Sequence, residues 1–167
     1  HSCFSWPQIG RCSTRWRCVA GGNVSHSVFP SLGIGVPAPT RTQTVSAATA
    51  QRLAKARLKA LSTAPYYARL MYSLSYVSTP GIGTIGIDDR LRLYIDEDAL
   101  NDWSNNELAV VLLHEVNHVL RGHSARCESM HADAQRWNIA GDAEINDDLV
   151  QGGFVLPGEP VLPSSLG

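Results

Sequence analysis

From Ser46 onward the apolar positions recur with the periods of regular structure; before it they do not. Ala47–Leu61 is rich in Ala, Leu, Lys and Arg, all good helix formers, and Ser46 stands where an N-cap belongs. Pro65 opens a second predicted helix, Tyr66 to about Tyr76, with Leu70 and Leu74 on one side and Thr79-Pro80-Gly81 as its breaker. Thr84–Ile87 and Leu91–Ile95 alternate and are joined by Asp88-Asp89, which predicts a β-hairpin. In its second strand Leu91, Leu93 and Ile95 share one face, against Arg92 and Tyr94 on the other. Ser104-Asn105-Asn106-Glu107 reads as a capping box that starts a helix running through Leu120 and stopped by Gly122. A last helix is predicted from about Ala132 to Val150, ended by Gly152-Gly153.

This pattern divides the chain into an irregular arm or linker (1–45), one domain (46–157) and an irregular tail (158–167) with a truncated look. A length of 167 residues is enough for one domain with a real core. A net charge of -1 gives no electrostatic case for nucleic acid or an anionic membrane surface. The longest apolar run, Leu108–Leu113, is far below the ~20 residues of a membrane span. No secretory signal opens the chain, so a cytoplasmic location is expected. Cys3, Cys12 and Cys18 crowd the arm, without a Cys-x-x-Cys pair, and read as plain thiols.

The candidate chemistry lies on the third helix, in His114-Glu115-Val116-Asn117-His118. Helical positions four apart differ by ~40° in direction and one turn in height, so both imidazoles can close on one zinc ion. Glu115 projects ~60° to the side, within reach of a water on that ion, as a general base should. Leu108, Leu112, Val116, Val119 and Leu120 form an apolar arc roughly opposite the histidines, leaving them for a cleft.

Zinc needs a third protein ligand and an open position. His123, Cys127 and Asp142 are the candidates. His123 would point away if the helix continued, unless Gly122 turns it inward, and a cysteine is unusual in a hydrolytic site. Asp142 falls inside the arc of Ile139, Ile145, Leu149 and Val150, whereas Glu144, Asp147 and Asp148 fall on the opposite side. A carboxylate on an apolar face must be paired or metal-bound. Asn138 and Asn146, one turn either side, are placed to hold its oxygens.

The run LYIDEDALNDWSNNELAVVLLHEVNHVLRGHSAR, followed by WNIAGDAEIN, resembles the metallopeptidase domain found beside von Willebrand factor A-like domains in bacteria. The resemblance covers about residues 46–157 and is strongest at 91–146. It marks His114, Glu115, His118, His123, Asp142 and Asn146, and leaves open which of His123 and Asp142 ligates. It also implies a von Willebrand factor A-like or ATPase partner.

The reading is therefore an α+β zincin-like domain: a small antiparallel sheet, an active-site helix, and a second helix that bears a ligand. Its expected function is zinc-dependent peptide hydrolysis, with His114, His118 and Asp142 on zinc, Glu115 as base, and His123 and Asn146 orienting the ligands. The Leu91–Ile95 strand is expected to border the cleft and take an extended peptide. The alternatives are a non-hydrolytic zinc-binding assembly module, and a closed structural zinc on His114, His118, His123 and Cys127. Trp103 and Trp137 read as packing residues, Tyr94 as an exposed strand tyrosine and His131 as polar surface. Arg121 and Arg126 read as partners of local carboxylates.

Overall fold

The computed structural model describes residues 44–166. The arm expected over 1–45, with Cys3, Cys12 and Cys18, lies outside them up to residue 43. Helix α1 (Ala47–Thr63) starts where the Ser46 hydroxyl accepts the Thr49 amide at 3.2 Å, and it buries the stripe Leu53, Ala56, Ala60. The Glu97 carboxylate ties this start to the sheet, accepting from the Ser46 amide, the Thr49 hydroxyl and the Ser78 hydroxyl.

The second predicted helix is cut short. Pro65–Tyr67 forms a 3-10 turn, α2 spans only Ala68–Ser73, and Leu74 turns extended into strand β1 (Ser75–Ser78). Tyr76 and Val77, expected at or beyond a helix end, pair instead with Leu93 and Tyr94. The helical spacing of Leu70 and Leu74 is real but local; the ladder to β3 supplies backbone partners that another turn would have to forgo.

Strands β2 (Ile85–Ile87) and β3 (Arg92–Ile95) form the expected antiparallel hairpin. Its turn is held by the buried Asp88, whose carboxylate accepts from the Arg90 and Arg92 amides and the Arg92 guanidinium. The sheet order is β1-β3-β2, with β1 parallel to β3, so the sheet is mixed rather than antiparallel. One further expectation changes with it. The Leu91–Ile95 strand is central, both its edges being paired, and β2 is the edge that faces the cleft.

Helix α3 (Asn105–Leu120) begins with the full capping box, Glu107 accepting the Ser104 amide at 2.7 Å. It packs on α1, β2 and α5 at once, which is why Leu108 to Asn117 are all buried. Leu120 departs from the expected arc and is exposed. Gly122, at φ 61°, ends the helix and redirects the chain into α4 (His123–Ser129). Helix α5 (Ala134–Gln151) is capped by Asp133. The tail folds back on α5 through a 3-10 turn at Pro163–Ser165. No helix among the described residues is long and apolar enough to cross a membrane.

Candidate metal centre

His114, Glu115 and His118 project from α3 into a cleft of about 230 Å³ bounded by β2, the start of α4 and the first half of α5. Asp142 reaches the same point from α5. His118 Nε2 stands 3.0 Å from His114 Nε2 and 3.1 Å from Asp142 Oδ1, and His114 Nε2 stands 3.5 Å from that oxygen. Four tetrahedral donors at ~2.0–2.1 Å from an ion lie ~3.3 Å from one another. The triangle therefore has the size of one face of such a shell, and its donor set of two imidazoles and a carboxylate suits zinc. Among the described residues these three form the group whose donor atoms converge in this way.

Burial alone would raise the Asp142 pKa, but hydrogen bonds and charge from His114 and His118 hold it below the usual carboxylate value. Burial works to lower the His114 imidazole; Asp142 and Glu115 outweigh it, and its pKa stands above normal. His118 is lowered, by burial first and then by the neighbouring His114. Asp142 at 2% exposure and His114 at 2% have little water to replace these contacts.

Each of the three has a partner behind it. Asn146 Oδ1 accepts from His114 Nδ1 at 2.9 Å, and Asn138 Nδ2 donates to Asp142 Oδ2 at 3.2 Å. Asn138 thus holds Asp142 as its helical position implies, but Asn146 does not: its oxygen faces the α3 histidine and its amide nitrogen donates to Val161 of the tail. Asn146 lies one turn beyond Asp142 on α5, and α3 passes close enough there for the His114 ring to meet it. The third partner, behind His118, is His123, with the two Nδ1 atoms 3.0 Å apart.

Gly122 does turn His123 inward, to 6% exposure, but onto the far nitrogen of His118 rather than into the triangle. Burial, followed by the adjacent His118, lowers its pKa to about 4. Cys127 is buried in α4 and lines the cleft, with its Sγ 3.8 Å from the Ala132 carbonyl oxygen, outside the converging group. Glu115, 8% exposed, lines the same cleft. Burial, reinforced by the Asp142 charge, raises its pKa to about 7, against the opposing pull of His114 and the Ile87 amide.

The other singled-out residues have structural partners. Trp103 and Trp137 both pack and line the cleft; the Trp137 indole donates to the His123 carbonyl at 2.9 Å. Arg121 bridges Glu144 and Asp148, while Arg126 lies over the Trp137 ring. Tyr94 is half-buried on the central strand, its hydroxyl on Asp88, and lies outside the cleft. His131 is exposed and also lies outside it. Two site features carry no local sequence signal: the edge of β2, which among the described residues pairs with no further strand and depends on where β1 pairs, and Gly141, whose place against His123 depends on the α4–α5 packing.

Comparison with known families matches residues 48–166 to the family described as "Putative metallopeptidase domain". No curated protein and no solved structure matches the chain.

Proposed function

Because the chain belongs to that metallopeptidase-domain family, we propose that it is a zinc-dependent peptidase of zincin type, with His114, His118 and Asp142 as the zinc ligands and Glu115 as the general base. The observation that carries this reading is the triangle of ligand atoms, 3.0–3.5 Å on a side, in one cleft with a buried carboxylate. When bound, zinc supplies a Lewis acid that acidifies water and polarises a carbonyl. The chain's own residues do the rest. Asn146 keeps the His114 proton on Nδ1, so Nε2 carries the lone pair, and Asn138 holds the Asp142 carboxylate in place. Glu115, with a pKa near neutrality, takes a proton from the attacking water and returns it to the leaving amine.

The substrate we propose is an extended peptide or an unfolded protein segment added as a strand to β2. Thr84 and Asp88 hydrogen-bond to β3 through their backbones. By the alternation of an antiparallel ladder, Ile85 and Ile87 turn their N–H and C=O groups to the outer edge, along the cleft; the Ile87 N–H is taken by Glu115, which leaves both groups of Ile85 and the Ile87 C=O to pair with the peptide. Apolar cleft walls such as Val111, Val119 and Trp103 favour apolar side chains on that peptide. The proposed partner, a von Willebrand factor A-like domain or ATPase, would act with this domain in a larger assembly.

The test compares metal-free and zinc-reconstituted protein on an unfolded protein and a peptide library. Cleavage should require zinc and stop on chelation. Equal cleavage without metal contradicts the reading; a zinc-loaded protein that cleaves nothing, but loses a partner complex when zinc is stripped, favours an assembly module.

A further inference from the structure

We propose that His123 is a positioning residue that sets which nitrogen of His118 carries the proton, and that Gly141 is a glycine because the His123 ring must lie against the α5 backbone to do so. The inference rests on the proposed metal site. His114 and Asp142 are each backed by a side-chain amide, whose donor and acceptor ends are chemically fixed. His118 is backed by a second imidazole, Nδ1 to Nδ1 at 3.0 Å, and such a contact needs one donor and one acceptor.

Only one assignment serves the site. His118 Nε2 faces Asp142 Oδ1 and would give its lone pair to a bound metal, so in the metal-bound protein its proton sits on Nδ1. His123 Nδ1 then accepts, and neutral His123 carries its own proton on Nε2. That Nε2 is buried, has no hydrogen-bond partner, and has a carboxylate oxygen of Glu144 3.6 Å away. Glu144 is in turn held by Arg121 at 2.8 Å. The reversed assignment would aim a His123 N–H at His118 and move the His118 proton to Nε2, into the place of the metal. A negative charge beside His123 Nε2 favours the productive form.

Gly141 gives an independent observation. A Cβ there would stand 2.7 Å from His123 Nδ1 and 2.9 Å from Cε1, closer than side-chain carbons approach ring atoms. Gly141 is helical, with no positive φ, so its backbone does not require glycine. In mid-helix, glycine is less favourable than alanine. The space it leaves is occupied by the edge of the His123 ring that meets His118. The Trp137 indole, bonded to the His123 carbonyl, fixes the backbone from the same helix.

The experiment uses the whole chain. Zinc affinity is read by competition with a chromophoric chelator for wild type, His118→Ala, His123→Leu, His123→Asn and Gly141→Ala, and folding by circular dichroism. His123→Leu should weaken zinc ~10–100-fold, as loss of a ligand's hydrogen-bond partner does. His123→Asn should recover most of that, because its Oδ1 can stand near the lost Nδ1 and accept. Gly141→Ala should weaken zinc without lowering the melting temperature of the metal-free protein in proportion, and it tests the inference even if His123→Leu misfolds. Ring 15N NMR of zinc-loaded wild type should show His118 protonated on Nδ1 and His123 on Nε2. Wild type and His118→Ala both failing to bind zinc overturns the metal site itself. Tight wild-type binding with His123→Leu and Gly141→Ala unchanged, or the opposite tautomers, overturns this inference alone. His123→Leu as damaging as His118→Ala, with no recovery in His123→Asn, makes His123 a ligand and also overturns it.

Discussion

Replacing Asp142 by alanine separates the open triangle from its rivals. The carboxylate oxygen lies 3.1 Å from one ring nitrogen and 3.5 Å from the other, and it brings the negative charge to a set otherwise made of neutral imidazoles. Losing a residue that merely orients a ligand costs ~10–100-fold in metal affinity, about 1.4–2.7 kcal/mol. Losing one of three protein ligands should exceed that, so Asp142→Ala should weaken zinc by more than ~100-fold. Asn138→Ala, which removes only the donor to Asp142 Oδ2, should fall in the ~10–100-fold band. Cys127→Ser should leave affinity unchanged, because its sulfur lies outside the converging group. The assay is chelator competition on purified protein, with helix content checked by circular dichroism. Asp142→Ala that keeps wild-type affinity while Cys127→Ser releases the metal would refute the geometry and restore the closed structural site.

Asn146→Ala removes both the acceptor on His114 Nδ1 and the donor to the Val161 carbonyl; zinc affinity should fall ~10–100-fold, and limited proteolysis should cut the tail faster. Hydrogen bonds from Ser46 and Thr49, then Ser78, hold the Glu97 carboxyl at about 2, below its ordinary 4.5. A depressed carboxylate pKa stabilises the fold above the unfolded value, so this contribution should fade as pH falls from 4.5 towards 2. Acid titrations of Glu97→Gln should be flatter in that window, and an unchanged slope would contradict the assignment. Methylating single backbone amides of a cleaved peptide should raise KM at alternate positions near the scissile bond, since an added strand presents alternate amides to β2. A uniform effect along the peptide would rule out strand addition.

Much of this was legible because it is local. The Ser104–Glu107 box, the two histidines four apart and the apolar positions Ile145 and Leu149 on the Asp142 side are one-helix properties, and the helix period exposes them, although Val150, expected on the same arc, is exposed. The β2–β3 hairpin is likewise a short-range object. What the sequence hid depends on pairing between distant segments. Ser75–Ser78 carries no strong strand pattern and becomes a strand through parallel pairing with Arg92–Ile95, which in turn makes Leu91–Ile95 central and β2 the cleft edge. Asn146 was legible as a site residue by resemblance, but its partner was not: a helical projection shows which face it occupies, and cannot show that the His114 ring crosses there. His123 turned on Gly122, whose left-handed conformation decides between pointing away and turning inward.

The central claim is that Glu115 acts on water at a zinc held by its neighbours, and Glu115→Gln tests it most directly. The amide keeps the shape of the side chain and leaves His114, His118 and Asp142 untouched. The variant should fold, hold about one zinc per chain as wild type does, and cleave unfolded protein ~10²–10⁴-fold more slowly, the usual range for loss of a general base. A zinc-loaded Glu115→Gln that cleaves as fast as an active wild type would contradict the mechanism.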